Sequence, residues 1–390
     1  YFGPDVDSPQ KPQQPGSLEG LAIGLPFFAL PAPEAPFVLL NLLSFASLCA
    51  FAWYCSRRLP EVPAWIIWGW LLTAPWTLNF STHIVNISYL LPASLIFFMA
   101  AVETLPALRK GLLAPALCYF LMGLALFWVA QFHMSWVLLP PYAVVSLCLR
   151  WRARGFVAAL KSFGWFALGC ALTGSLLMPT FLRYGWVGGM GGTQTTVGIN
   201  WANLRGAYNL PEGIMGRFLS FASFELPRFL GSHTPQRLAF FAAQPWLAPF
   251  GLLLFVVGIL QPVVMLLLWF TRREGDADWR ALKYFTLASL SLLYLLFLFA
   301  AGKPPAAHTY YVMLPVAMLY AFYCWSPYLR RRGWQIFAFV LLVCGIIFHA
   351  GLALHRRTHD SMYTNRAIVR RAIDERDYRI LGERREGSRY

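Results

Sequence analysis

The chain has 390 residues, of which 58% are hydrophobic and only 13% charged, with a mean hydropathy of +0.53. Soluble domains carry about 25% charged residues, so this composition excludes an ordinary water-soluble globule. A formal net charge of +15 raises nucleic acid as a partner, but the cations cluster in short loops between apolar stretches. Membrane insertion produces that distribution, and no nucleic-acid partner is expected.

Residues 1–36 open the chain with a proline-rich segment carrying Asp5, Asp7 and Glu19. Carboxylates at a membrane face suit a general base or a divalent cation, and they equally suit a solvated loop. The apolar run 18–31 is proline-interrupted and shorter than the roughly 20 residues a crossing needs. It is predicted to lie in the interface.

Ten longer apolar segments follow, at about 37–55, 64–80, 87–102, 112–130, 134–149, 157–178, 246–270, 284–301, 309–326 and 335–354. They are continuously apolar, which excludes the alternating pattern of a membrane barrel. Strict alternation places Arg57-Arg58, Arg109-Lys110, the run 150–154, the run 271–273 and the run 329–332 on one side, the cytoplasmic side by the positive-inside rule. The other side receives 1–36, a short turn with His83 and Asn86, residues 131–133, a long loop 183–245 and the stretch 302–308. The expectation is an all-α, polytopic membrane protein. It comprises an interfacial helix, a bundle over 37–182, a large extracytoplasmic loop 183–245, a second bundle part over 246–354 and a basic tail 355–390.

Glycines 188, 189, 191 and 192 lack the strand and helix that a nucleotide-binding loop needs around them. A loop moving over a cavity fits them better, with Arg183 and Arg205 available to an anionic ligand. The stretch Gly302 to Pro315, GKPPAAHTYYVMLP, has two readings. Lys303 snorkels and Tyr310 and Tyr311 join the aromatic belt, or Lys303 and His308 hold a lipid phosphate through charge-assisted hydrogen bonds. The seven cysteines lie in or at the ends of apolar spans without metal-ligand spacing, as small core residues do.

The run from Pro15-Gly16 through Leu25-Pro26 and Leu39-Leu40-Asn41 to Arg57-Arg58-Leu59 resembles the start of the GT-C superfamily of integral-membrane glycosyltransferases. Within it, the chain is similar to bacterial relatives of the dolichyl-phosphate-mannose–protein mannosyltransferases, family 39. Asn86 and Pro92, the helix end at 177–185, and His308, Tyr310 and Pro315 extend the resemblance over roughly 1–355. It implies sugar transfer from a polyprenyl-phosphate donor to a glycan, lipid or protein acceptor at the outer face of the cytoplasmic membrane. A carboxylate would act on the acceptor, with a divalent cation or basic residues at the phosphate. The family's catalytic carboxylate follows a first span that would precede Tyr1; Asp5 and Asp7 are the nearest carboxylates. With such a donor, Lys303 with His308, then Arg183 and Arg205, are the candidates for the phosphate, and Glu19, His83, Asn86, Tyr310 and Tyr311 are candidates for the acceptor or cavity wall. A transporter or flippase of a lipid-linked or anionic substrate, or a surface-polysaccharide polymerase or ligase, remain alternatives. Spans without internal repeats or internal charge count against the transporter.

Overall fold

The computed structural model of the protein describes residues 2–5, 13–15, 18–30, 32, 34–74, 86–179, 182, 211–220, 230, 234–272, 276–300, 307–359 and 371. Of these, 2–5, 13–15, 86, 134, 297–300, 307–308 and 356–359 are described by backbone alone.

A two-stranded antiparallel ribbon, β1 (Phe2–Asp5) and β2 (Gln13–Pro15), precedes two short helices, α1 (Leu18–Gly24) and α2 (Pro26–Ala29). Pro26 has no N–H to continue a helix, so the 18–31 segment is divided in two. Then come α3 (Ala35–Arg58), α4 (Ala64–Thr73) and a 3-10 turn, Asn86–Tyr89, leading into α5 (Leu90–Thr104). Next are α6 (Pro115–Phe132), a 3-10 turn Met134–Leu138, α7 (Pro140–Arg154) and α8 (Phe156–Gly174). A π-helical turn, Glu212–Leu219, and α9 (Thr234–Ala243) precede the turn Pro245–Leu247 and α10 (Ala248–Thr271). The chain continues with α11 (Ala277–Ala300), α12 (Ala307–Val312), α13 (Leu314–Leu329) and α14 (Arg332–His359).

Prolines in the first turns of α3, α6, α7, α10 and α13 sit where their missing N–H costs nothing. Pro315 also explains why the predicted span 309–326 appears as α12 and α13, broken at Met313. Among the described residues, six helical stretches are long and apolar enough to cross a membrane: Ala35–Arg58, Ile87–Thr104, Pro115–Phe132, Phe156–Leu177, Pro245–Thr271 and Arg332–His355. The protein is therefore a helical, membrane-embedded bundle. The stretch through α5 is 83% buried and that through α8 only 17%, so α5 is the hub and α8 lies at the periphery.

One end of the bundle is tied by charge. Arg58, at the end of α3, and Glu103, near the end of α5, form an ion pair at 3.0 Å with both side chains essentially inaccessible. The Glu103 carboxylate also accepts from the Tyr54 hydroxyl at 3.0 Å and from the Gly111 and Leu112 amides at 2.7 and 3.0 Å. Arg58 donates further to the Leu108 carbonyl at 2.7 Å and to the Tyr323 hydroxyl of α13 at 3.3 Å. Lys110 pairs with Asp278 at the start of α11. Arg272 donates to the Tyr323 carbonyl at 2.5 Å, and Arg330 pairs with Glu61 at 3.2 Å. Four basic loops far apart in sequence thus share one end, as strict alternation of the spans requires.

Candidate functional site

The opposite end carries buried hydroxyls, a half-buried carboxyl and an imidazole, with one ion pair, Arg217 to Glu212. Tyr294 on α11 and Tyr310 on α12 are hydrogen-bonded hydroxyl to hydroxyl, with ring centroids 6.5 Å apart. The π-helical turn seats Gly213 on this pair. A Cβ there would lie 2.0 Å from the Tyr310 hydroxyl oxygen and 3.0 Å from that of Tyr294, so only glycine permits the approach. Arg217 on the same turn pairs with Glu212 at 3.1 Å and lies within electrostatic reach of both tyrosines. π-Turns are uncommon and recur at functional positions. Tyr310 and Tyr311 are both buried, and so is Thr309, whose hydroxyl has no hydrogen-bond partner among the described residues.

A second group gathers where α1 meets α6 near its Phe132 end. Glu19, in the first turn of α1, is half-buried, and desolvation raises its carboxyl above the ordinary 4.5. Its charge reaches Tyr89, at the end of the turn before α5. Tyr89 stacks on Phe132 with centroids 5.1 Å apart, and its carbonyl accepts from the Trp128 indole N–H at 2.9 Å. The Tyr89 hydroxyl is wholly buried without a hydrogen-bond partner among the described residues, an arrangement that normally requires an explanation. His133 caps the Met134–Leu138 turn: its Nδ1 accepts from the Ser135 amide at 3.1 Å and faces the Ser135 hydroxyl at 2.5 Å. An accepting Nδ1 puts the ring proton of a neutral imidazole on Nε2.

Of the residues singled out by sequence, Glu19, Tyr310 and Tyr311 are described in full, and all three belong to this end. Asp5 is placed by backbone in β1, Asn86 by backbone as the first residue of its turn, and His308 by backbone in α12. Asp7, His83, Arg183, Arg205 and Lys303 lie outside the described residues. Tyr294, Gly213, Tyr89 and Trp128 were not picked out from sequence. Tyr294 carried a faint signal, a hydroxyl inside the run LSLLYLLFLF, but nothing in the sequence pairs it with Tyr310. Among the described residues no three His, Cys, Asp or Glu side chains gather as metal ligands.

Fold and site together define a membrane-embedded helical bundle with an ion-paired end and an end of buried hydroxyls bordered by a desolvated carboxyl. No protein-family model matches the chain, and no curated protein or solved structure matches it.

Proposed function

We propose that the chain is a glycosyltransferase of the cytoplasmic membrane. It crosses the bilayer about ten times and moves a sugar from a polyprenyl-phosphate donor to a glycan, lipid or protein acceptor at the extracytoplasmic face. The four further crossings are α4, α7, α11 and the α12–α13 pair. The observation that carries the reading is the chemical difference between the two ends. Unpartnered hydroxyls, the half-buried Glu19 and the tyrosine pair collect opposite the basic loops, at the level where a prenyl chain stays in lipid and its sugar meets water.

The chemistry is a displacement at the anomeric carbon. A carboxylate takes the acceptor hydroxyl proton, the acceptor oxygen bonds to the anomeric carbon, and the bond from that carbon to the phosphate oxygen breaks. The departing lipid phosphate then carries the charge that basic side chains must stabilise. Lys303 and His308 are assigned to it, with Arg183 and Arg205. Glu19, His83, Asn86, Tyr310 and Tyr311 are assigned to the acceptor side. Asp5 and Asp7 are the carboxylates to test first as the base.

Membranes containing the protein, incubated with a panel of polyprenyl-phosphate sugars, should consume one donor and release polyprenyl phosphate. Lys303→Ala should slow that consumption at least tenfold while the protein stays folded. Folded wild-type protein that turns over no donor would overturn the reading.

A further inference from the structure

The five basic clusters are not alike. Four keep a carboxylate partner: Arg58 with Glu103, Lys110 with Asp278, Arg272 with Asp276 and Arg330 with Glu61. The fifth, where α7 turns into α8, has none among the described residues. No acidic residue occurs anywhere between Glu103 and Glu212. At this corner Arg152, Arg154 and Lys161 are exposed, and they and Arg150 make no ion pair among the described residues.

The local fold concentrates these cations. Gly155 takes φ +86°, a left-handed conformation suited to glycine, and turns the chain within one residue from α7 to α8. Tyr119 of α6 anchors the corner from inside. Its hydroxyl donates to the Ser146 carbonyl at 3.0 Å, and it contacts Ser162, the neighbour of Lys161, as well as the field of Arg150. Next to the cations is an apolar surface. Trp151 is 57% exposed, Phe156 60%, Val157 65% and Leu160 55%, and the Trp151 and Phe156 rings meet edge-on at 6.0 Å.

Unneutralised cations bordering exposed aromatic and aliphatic side chains, at the end of a peripheral helix pair, match the two halves of a phospholipid. We propose that the α7–α8 corner is a binding site for an anionic phospholipid of the leaflet facing the basic loops. Its phosphate engages Arg152, Arg154 and Lys161, and its acyl chains lie along Phe156, Val157 and Leu160. The proposal does not depend on the sugar-transfer reading. Insertion bias alone accounts for positive charge on this side but not for a whole cluster without a carboxylate partner among the described residues.

The test is lipid retention by the purified full chain in detergent, read by native mass spectrometry. Phosphatidylglycerol is compared with phosphatidylcholine of identical acyl chains. A basic side chain near an anionic lipid contributes about fivefold in affinity, so wild type should retain phosphatidylglycerol at least tenfold more strongly. That preference should collapse as salt rises from about 50 to about 500 mM, because the screening length shortens. Arg152→Gln/Arg154→Gln/Lys161→Gln should abolish it, and Arg152→Lys/Arg154→Lys should keep most of it. Equal retention of both lipids by wild type, survival of the preference in the triple glutamine variant, or displacement by equimolar inorganic phosphate would overturn the site. The wild-type comparison and its salt dependence decide the matter even where a variant fails to insert.

Discussion

At Glu103, one carboxylate serves two side-chain donors and a run of backbone amides, and its loss should be felt across the bundle. Its two oxygens receive Arg58, Tyr54 and the amides of Gly111 and Leu112. Glutamine has one acceptor oxygen, so Glu103→Gln turns an amide N–H toward donors and leaves the Arg58 charge buried without its partner. Breaking such a pair costs about 3–5 kcal/mol, and thermal melting of the purified protein should show a loss of that order. Arg58→Met combined with Glu103→Gln should melt above Glu103→Gln alone, because no charge is then stranded. Glu19 behaves in the opposite sense. Its folded carboxyl is raised above 4.5 by desolvation, so folding disfavours the ionised form. The stability it allows is fully present at low pH and is lost as pH climbs past 4.5 through the raised folded value. Glu19→Gln should therefore flatten the acid-side dependence of the melting temperature and leave the neutral-pH protein no less stable. A variant that melts lower at neutral pH would mean that the ionised carboxylate has a favourable partner. Gly213 makes the third case. Alanine there would drive a methyl into the Tyr310 hydroxyl, 2.0 Å away, and the buried ring cannot swing aside. Gly213→Ala should unseat the π-turn, and Tyr310→Phe in the same chain should restore part of the loss, measured as protection of the 211–220 amides from hydrogen exchange.

At the scale of elements, α6 and α8 cross through two glycines. A Cβ on Gly123 would sit 2.0 Å from the Phe166 carbonyl oxygen, and one on Gly169 would sit 2.0 Å from that of Phe120. Backbone lies on both sides, so neither neighbour can give way. Across the crossing, the Thr173 hydroxyl donates to the Leu124 carbonyl at 3.0 Å, and the Gln131 amide donates to the Thr173 carbonyl at 2.9 Å. Close backbone approach and interhelical hydrogen bonds are what hold helices together in lipid. Gly123→Ala or Gly169→Ala should separate the pair and lower stability by more than about 2 kcal/mol, the scale of overpacking. Gly164→Ala, with open space around it, should leave stability unchanged or raise it by up to about 1 kcal/mol, through helix propensity. Six of the ten expected crossing helices were legible in the sequence as long apolar helices, because a crossing helix must be long and apolar whatever it packs against. The crossing point was not, since Gly123, Gly164 and Gly169 look alike until the facing helix is known. The site divides the same way. Glu19, Tyr310 and Tyr311 stood out as polar chemistry at the mouth of apolar runs. Gly213 acquires meaning only through contact with a tyrosine almost a hundred positions later.

For the whole molecule, the ion-paired network fixes which loops lie together, and the proposed reading, through the charge bias, orients that end toward the cytoplasm. The two inferences are separable, and labelling from each side of a membrane separates them. Arg331 is exposed beside the Arg330–Glu61 pair. Pro235 is exposed on α9, whose Phe240 packs with Leu247, Phe348 and Leu352 near the far end of α14. Roughly 1.5 Å of rise per residue carries α14 across a bilayer between these two places. In a background with the exposed Cys148 replaced by serine, Arg331→Cys should react with an impermeant thiol reagent only in inside-out vesicles, and Pro235→Cys only in right-side-out ones. Reaction of both from one side would break the arrangement of the ends. Reaction from opposite sides in the reversed sense would keep the bundle and invert its orientation. That outcome would bring the tyrosine pair, Glu19 and His133 to the cytoplasmic face and sink the proposed use of a donor presented from outside.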